Sequence, residues 1–230
     1  MAKTILLVST SAGSMGGRST GLWLAELAEP YYKFKAAGFD VTIASPAGGA
    51  CPIDPGSLKG DFFTADAKKF MHDGEAVGAF LHSVKLDVSH VGQFDCVYVA
   101  GGHGCCVDMA GAAHVALKAI IEAQYTAGKV VASDCHGPYC LIECKKADGT
   151  PLVAGLEVTG FTNAEEVAAG AYEWVTSNAK LIETTFEEQG AKFNAGADWE
   201  SNVVVAGNLI TAQNPGSAPA CADAVIKALA

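Results

Sequence analysis

Residues 128–144 read GKVVASDCHGPYCLIEC. Lys129 to Ser133, with Val130 and Val131 at its centre, has the β-branched character of a buried strand. It runs into Asp134-Cys135-His136-Gly137-Pro138 and then into Tyr139-Cys140-Leu141. A strand, an abrupt turn and a helix start packed this closely are the plan of a nucleophile elbow, where a reactive side chain is held out on a sharp strand-to-helix turn. Gly137 permits the tight backbone, and Pro138 suits a first helical turn, where its missing N–H would be an orphan anyway. A thiol at that helix N-terminus meets the positive end of the macrodipole and free amides, both of which favour the attacking thiolate. His136 adds a positive charge or a proton relay. Most intracellular cysteines are inert buried hydrophobes. The coincidence of strand, glycine, proline and helix start sets Cys135 apart as a nucleophile.

Around this stretch the chain has 230 residues, half of them apolar and 17% charged, enough for one sizeable domain with a substantial core. A formal net charge of −10 argues against nucleic acid or an anionic membrane surface as partner. The eight cysteines do not demand a disulfide framework in a chain this large and this rich in core. The opening MAKTILLVST is too short in its apolar run for a signal peptide, and no run approaches a membrane span. The expectation is a soluble protein of a reducing compartment, the cytoplasm.

Working outward, Thr4 to Ser9 reads as a strand buried on both faces, and Ser11 to Gly17 as a Gly/Ser-rich loop. Thr20 to Ala37 has helical spacing through Leu22, Leu24 and Leu27, with Pro30 expected to kink or restart it. Phe39 to Ser45 is a second strand, so the unit is a parallel crossover. Pro46 to Gly60 is a long loop, and Ala65 to Ser83 holds one or two peripheral helices. Phe94 to Ala100 is a third buried strand that empties into Gly101-Gly102-His103-Gly104, and Ala112 to Ala127 is a helix stopped by Gly128. After the elbow, Lys145 to Gly155 is expected as a hairpin around Asp148-Gly149. Leu156 to Phe161 follows as a strand, then a short helix starts at Asn163. Lys180 to Gly190 reads as a helix, Ser201–Val205 and Asn208–Thr211 as strands around a Gly-Asn turn, and Ala218 to Ala230 as a terminal helix. Alternation of strands and helices predicts an α/β three-layer sandwich with a mostly parallel sheet. In such sheets sites form at the carboxyl ends of strands, where Gly101 to Gly104 and Cys135 both fall.

Cys-His-Gly-Pro at the elbow, Gly-Gly-His-Gly after a strand, GFTNAEE and the late QNPGSA, in this order, resemble the ThiJ/PfpI superfamily over nearly the whole chain. TGLWLAELAEPYYKFKAAGFDV and GTPLVAGLEVTGFTNAEE are similar to its branch of heat-shock-induced, glutathione-independent glyoxalases (glyoxalase III). The resemblance implies a flavodoxin-like single domain over residues 1–230, related to class I glutamine amidotransferases and commonly dimeric. It implies Cys135 as nucleophile with His136 as its neighbour, Glu26 as the helix acid approaching the sulfur, and Glu166 as the acid that orients the histidine. Read without it, Glu26 is a helix-face acid and Glu165 and Glu166 an acidic first turn. An acid on a helix this well buried nevertheless needs a reason. The choice of Glu166 over Glu165 rests on the resemblance. His103, flanked by glycines, is poorly explained by core packing. Gly101, Gly102 and the His136 amide offer an oxyanion site, with Gly102 and His103 as candidate substrate-binding residues.

The remaining histidines, His72, His82, His90 and His114, show no metal spacing, adjacent Cys105-Cys106 is poor zinc geometry, and GGHGCC is no nucleotide fingerprint. Neither metal nor cofactor is expected. Two positions depart from the family. Asp134 stands where a small or aliphatic residue is usual and would raise the thiol pKa if it points at the sulfur. Cys105-Cys106-Val107 replaces bulkier residues and is expected to alter substrate fit. Cys140 and Cys144 are expected in the core. The implied activity is a stress-response glyoxalase of the hydro-lyase, D-lactate-forming type, converting methylglyoxal to lactate through a Cys135 hemithioacetal. The alternatives are a protein deglycase or cysteine hydrolase using the same thiol, and a redox-responsive holdase chaperone with an oxidisable Cys135.

Overall fold

A computed structural model describes residues 2–230. Seven strands form one sheet in the order Val203–Ala206, Leu209–Ala212, Val130–Asp134, Cys96–Val99, Thr4–Val8, Asp40–Ser45, Val84–Lys85. All neighbours pair in parallel except the Val203–Ala206/Leu209–Ala212 hairpin at one edge. This is the flavodoxin-like α/β sandwich expected. The central strands read as apolar runs because both faces are covered. Leu6, Val8, Val97, Val99, Val131 and Leu209 enter one core cluster, and Ile5, Leu7, Tyr98, Ala132 and Ile210 enter the other. The first face is covered by Val115–Thr126 and the segment after the elbow, through Leu117, Ile120, Ile121 and Leu141. The second is covered by Leu24–Ala36, Ala65–His72, Gly74–Leu81 and Ala218–Leu229, through Leu27, Phe34, Phe70, Phe80 and Val225. The chain moves outward from Thr4–Val8 to Asp40–Ser45 and Val84–Lys85, then returns to the other side with Cys96–Val99. That reversal makes the crevice at the strands' carboxyl ends the natural site.

Several elements differ from the reading above. The first helix begins at Leu24 and continues through Pro30 to Ala36 without restarting. Its buried face of Leu24, Leu27, Tyr31 and Phe34 holds the turn that proline would otherwise loosen. Before it, Leu22 is bridged to Ile53 and the Trp23 amide donates to the Gly101 carbonyl, so Thr20–Trp23 is spent on the crevice rather than on helix. Lys145 to Gly155 holds a single antiparallel bridge, Lys145 to Pro151, around a turn in which the Thr150 amide donates to Asp148. The strand expected at Leu156–Phe161 shrinks to Glu157–Val158, paired with Lys192–Phe193 outside the main sheet. Phe161 instead donates its amide to the carbonyl of Cys135. No helix among the described residues is long and apolar enough to cross a membrane. All eight cysteines are buried and free.

Candidate active site

Val130–Asp134 ends at the crevice, and the next residue, Cys135, has φ 54°. A non-glycine residue in the left-handed region is uncommon and costs roughly 1–2 kcal/mol, so the surroundings must hold it there. They do so from both sides: the Cys135 amide donates to Ala212 at 2.9 Å and its carbonyl accepts from Phe161 at 2.9 Å. Gly137 lies so close to the Val99 carbonyl that a Cβ would collide with it. The helix expected after the elbow is a 3-10 turn, Gly137–Leu141, closed by bonds from Tyr139 to His136 and from Ile142 to Tyr139. Five residues of 3-10 backbone do not supply the macrodipole of an α-helix. Cys140 and Cys144 are core, as expected, with the Cys144 thiol donating to the Cys140 carbonyl.

The turn brings two chain neighbours together. Cys135 Sγ lies 3.3 Å from His136 Nδ1, and His136 Nε2 lies 2.8 Å from Glu166 Oε1. The other oxygen, Oε2, lies 3.1 Å from His103 Nε2. Burial pushes Glu166 up, but the two histidines outweigh it, and its carboxyl is held at about 2. Glu166 is therefore an acceptor only, and both Nε2 atoms must carry the hydrogen. That tautomer leaves Nδ1 of His136 free as the base facing the thiol. Burial, and then the charge of His103, lowers the His136 pKa against the pull of Glu166, so the ring rests neutral.

The adjacent acids divide the labour. Thr162 and Glu165 form a capping box that starts Asn163–Ala168. Glu165 Oε1 accepts from the Trp199 amide and from the side chains of Gln213 and Asn214. Thus FTNAEE and QNPG meet at Glu165, while Glu166, one position on, is turned to the histidines.

On the other side of the sulfur lies a pair of buried carboxyls. Asp134 accepts from the Tyr98 hydroxyl at 3.0 Å and from the Gly101 amide at 3.2 Å. Neither oxygen of the fully buried Glu26 makes a well-formed hydrogen bond, and the polar group it faces is the Cys135 thiol. Burial first, then the charge of Asp134, pushes Glu26 well above the ordinary carboxylate range. Burial also raises Asp134, against the help of its two donors. With donors only on Asp134, the proton of the pair belongs on Glu26, a neutral carboxylic acid beside the thiol. Burial, then Glu26 and Asp134, in turn pushes Cys135 well above its usual value. This corrects the expectation of a resting thiolate: the pair is thiol and neutral imidazole, and the proton moves as the sulfur attacks.

Cys135, His136, Gly102 and His103 line one cavity of about 360 Å³. The Gly101 amide is taken by Asp134, so Gly102 and His136 remain as candidate oxyanion donors. Gly102, at φ 108°, abuts the Gly21 carbonyl and the Trp23 amide, where no side chain fits. Cys105, Cys106 and Val107 do not line the cavity; the two cysteines lie in the core and Val107 faces outward, contrary to their expected effect on fit. The lining also includes Arg18, Trp23, Phe161, Trp174 and Trp199, which sequence reasoning missed. The signal was there in the scarcity of those residues, for the chain has one arginine and three tryptophans. His103, His136 and Glu166 are the one metal-capable grouping among the described residues. Their donor atoms already satisfy one another as hydrogen bonds, so a metal would have to displace that relay.

The chain matches the model of the DJ-1/PfpI family over residues 20–228. The glutathione-independent glyoxalase hsp3102 of Schizosaccharomyces pombe is 31% identical over 93% of this chain and 90% of its own length. The crystal structure of glyoxalase III from Candida albicans superposes with a TM-score of 0.88 at 28% identity, covering 98% of this chain and 97% of that one. The Rapid Encystment Protein 24 kDa of Francisella tularensis does so with a TM-score of 0.86 at 33% identity, covering 99% of both chains. Fold, elbow and motifs thus agree with the sequence comparison, and the chain belongs to the DJ-1/PfpI family.

Proposed function

We propose that this protein is a glutathione-independent glyoxalase that converts methylglyoxal and water to lactate, with Cys135, His136, Glu166 and Glu26 as its working groups. The observation that carries the reading is the thiol placed between a histidine base and a proton-bearing carboxyl, 3.3 Å from the one and facing the other. The name glyoxalase on relatives matched over nearly their full length supports it.

Sulfur adds to the aldehyde carbon as its proton passes to His136 Nδ1, and Glu26 protonates the aldehyde oxygen, giving a hemithioacetal. Glu26, now a carboxylate, removes the proton from the former aldehyde carbon while the ketone oxygen takes one from His136. The enediol then collects the proton from Glu26 on the second carbon and returns its hydroxyl proton to His136. A thioester results, one carbon oxidised and its neighbour reduced, with no external oxidant. Water hydrolyses the thioester, its proton going to Glu26 and that of His136 to the departing sulfur. Gly102 and His103 bind the substrate oxygens. Glu166 acts through His136 as a positioning residue. Whether a small oxoaldehyde is the whole substrate is taken up below. The redox-sensor alternative is less favoured, because peroxide attacks thiolates and this thiol is buried and raised. The working unit is taken as one domain of 230 residues, assembled as a homodimer.

The test is lactate formation from methylglyoxal in amine-free buffer without glutathione, with a chiral assay for the D form. Turnover should vanish in Cys135→Ala. No lactate from folded wild type would sink the reading and leave the hydrolase alternative.

A further inference from the structure

The cavity before Cys135 is larger than methylglyoxal needs. Its volume of about 360 Å³ falls in the range of sites for drug-sized ligands, roughly 300–1,000 Å³, whereas methylglyoxal has only three carbons. The excess is lined with the scarcest residues of the chain: Trp23, Trp174 and Trp199 are all of its tryptophans, and Arg18 is its only arginine. Random placement of such rare residues does not converge on one cavity. Three indoles make walls for a flat apolar body.

Arg18 sits at the mouth, on a hairpin formed by Ser14–Met15 and Arg18–Ser19. Its guanidinium carbon is 4.5 Å from the centroid of the Trp174 ring. Trp174 fixes the hairpin by donating its Nε1–H to the Met15 carbonyl at 2.9 Å. It also packs 5.0 Å from His103, whose ring is 4.0 Å from His136. One aromatic path therefore runs from the cation to the nucleophile. In a chain of net charge −10, no carboxylate among the described residues forms an ion pair with Arg18. Asp54, the one acid lining the cavity, has its oxygens engaged by the Thr20 hydroxyl and the Gly56 amide. A guanidinium stacked on an indole keeps its N–H edge open for a carboxylate or phosphate. Trp199, on the opposite element, is held at φ 66° with its amide on Glu165, so the rim is set before a ligand arrives.

We propose that the site takes α-oxoaldehydes with a flat apolar body and an anionic group at the far end, and that Arg18 selects for the anion. This rests on the glyoxalase reading and names its substrate class. The chemistry is unchanged: sulfur bonds to the aldehyde carbon, the thiol proton ends on the aldehyde oxygen, and an aryl glyoxal leaves as the corresponding mandelate. The competing view is that Arg18 merely covers an exposed indole with its stem.

Two measurements separate these. The first compares initial kcat/KM for 4-carboxyphenylglyoxal and phenylglyoxal, taken before the slower modification of guanidinium groups. The ratio of the two should fall about tenfold in Arg18→Gln, the worth of one charge-assisted contact. It should hold in Lys227→Gln, which removes a cation from the terminal helix. The second needs no turnover: 4-carboxybenzaldehyde and benzaldehyde, which have no second carbonyl, protect Cys135 from iodoacetamide by forming a hemithioacetal. The carboxylated compound should protect wild type at about tenfold lower concentration than it protects Arg18→Gln. A ratio and a protection that ignore Arg18 overturn the proposal. Charge-dependent protection without turnover of any oxoaldehyde supports Arg18 as the anion contact and sinks the glyoxalase reading instead.

Discussion

Cys135 and His136 are in contact, Sγ to Nδ1 at 3.3 Å, although consecutive side chains on a strand point to opposite faces. The contact is created by the left-handed turn at Cys135, φ 54°, which ends the strand and swings the sulfur toward the ring that follows. A relay is thereby built within two residues, and only its anchor, Glu166, comes from elsewhere in the chain.

That anchor accepts from two histidines, and the first prediction concerns it. In Glu166→Gln one amide oxygen can still accept, but the NH₂ must face the other Nε2–H. One ring is forced to turn or change tautomer, and His136 loses the carboxylate that makes it basic. The kcat/KM for methylglyoxal should fall by about 10²–10⁴, with the near-UV circular dichroism retained. Activity within a few-fold of wild type would show that Glu166 does not orient the base.

The second prediction addresses the carboxyl beside the sulfur. Glu26 raises Cys135, after burial, through its charge and its contact with the thiol. Glu26→Gln keeps the shape and removes the acid, so the pH profile of iodoacetamide labelling at Cys135 should move to lower pH. Turnover should move the opposite way, down by about 10² or more, since the amide carries no proton between carbons. A labelling profile shifted to higher pH would mean that Glu26 had been stabilising the thiolate.

What was legible in the sequence was what is local. Val130–Asp134, Cys135, Gly137 and Pro138 announce the elbow because each satisfies a backbone demand of its nearest neighbours. The even apolar runs of Thr4–Val8 and Cys96–Val99 announce a doubly covered sheet for the same reason. Glu26 and Glu166 were reached only through resemblance, since a buried acid and a first-turn acid look alike in one dimension. The coupling of His103 to Glu166 spans 63 residues of chain and has no local signature. The 3-10 turn after the elbow was read as a helix because Gly-Pro starts both. Leu156–Phe161 was overread as strand because its apolar residues face the crevice and the far core rather than a sheet neighbour. Asp134 was recognised as unusual, but its donors, Tyr98 and Gly101, became visible only in space.

The last prediction lies outside the site. His114 is fully buried, and neither ring nitrogen makes a hydrogen bond; its nearest charged partner, Glu143, stands 3.9 Å from Nδ1 and is half exposed. The groups that face it are Glu143, Lys118 and the Cys140 backbone. Burial outweighs the pull of Glu143 and pushes the His114 pKa from 6.5 down to about 4. In the unfolded chain the ring takes up a proton as pH falls below 6.5, while the folded protein refuses it until about 4. The folded state is therefore favoured fully above the upper value and loses stability as pH falls toward the lower one. The loss is on the order of 3 kcal/mol at 1.36 kcal/mol per pKa unit. His114→Leu removes that titration and keeps the site apolar, so urea unfolding at pH 7 and pH 4 should differ less than in wild type by about that amount. An unchanged difference between the two pH values would mean that the folded protein protonates His114 as readily as the unfolded chain, through a partner or an opening that the buried ring does not display.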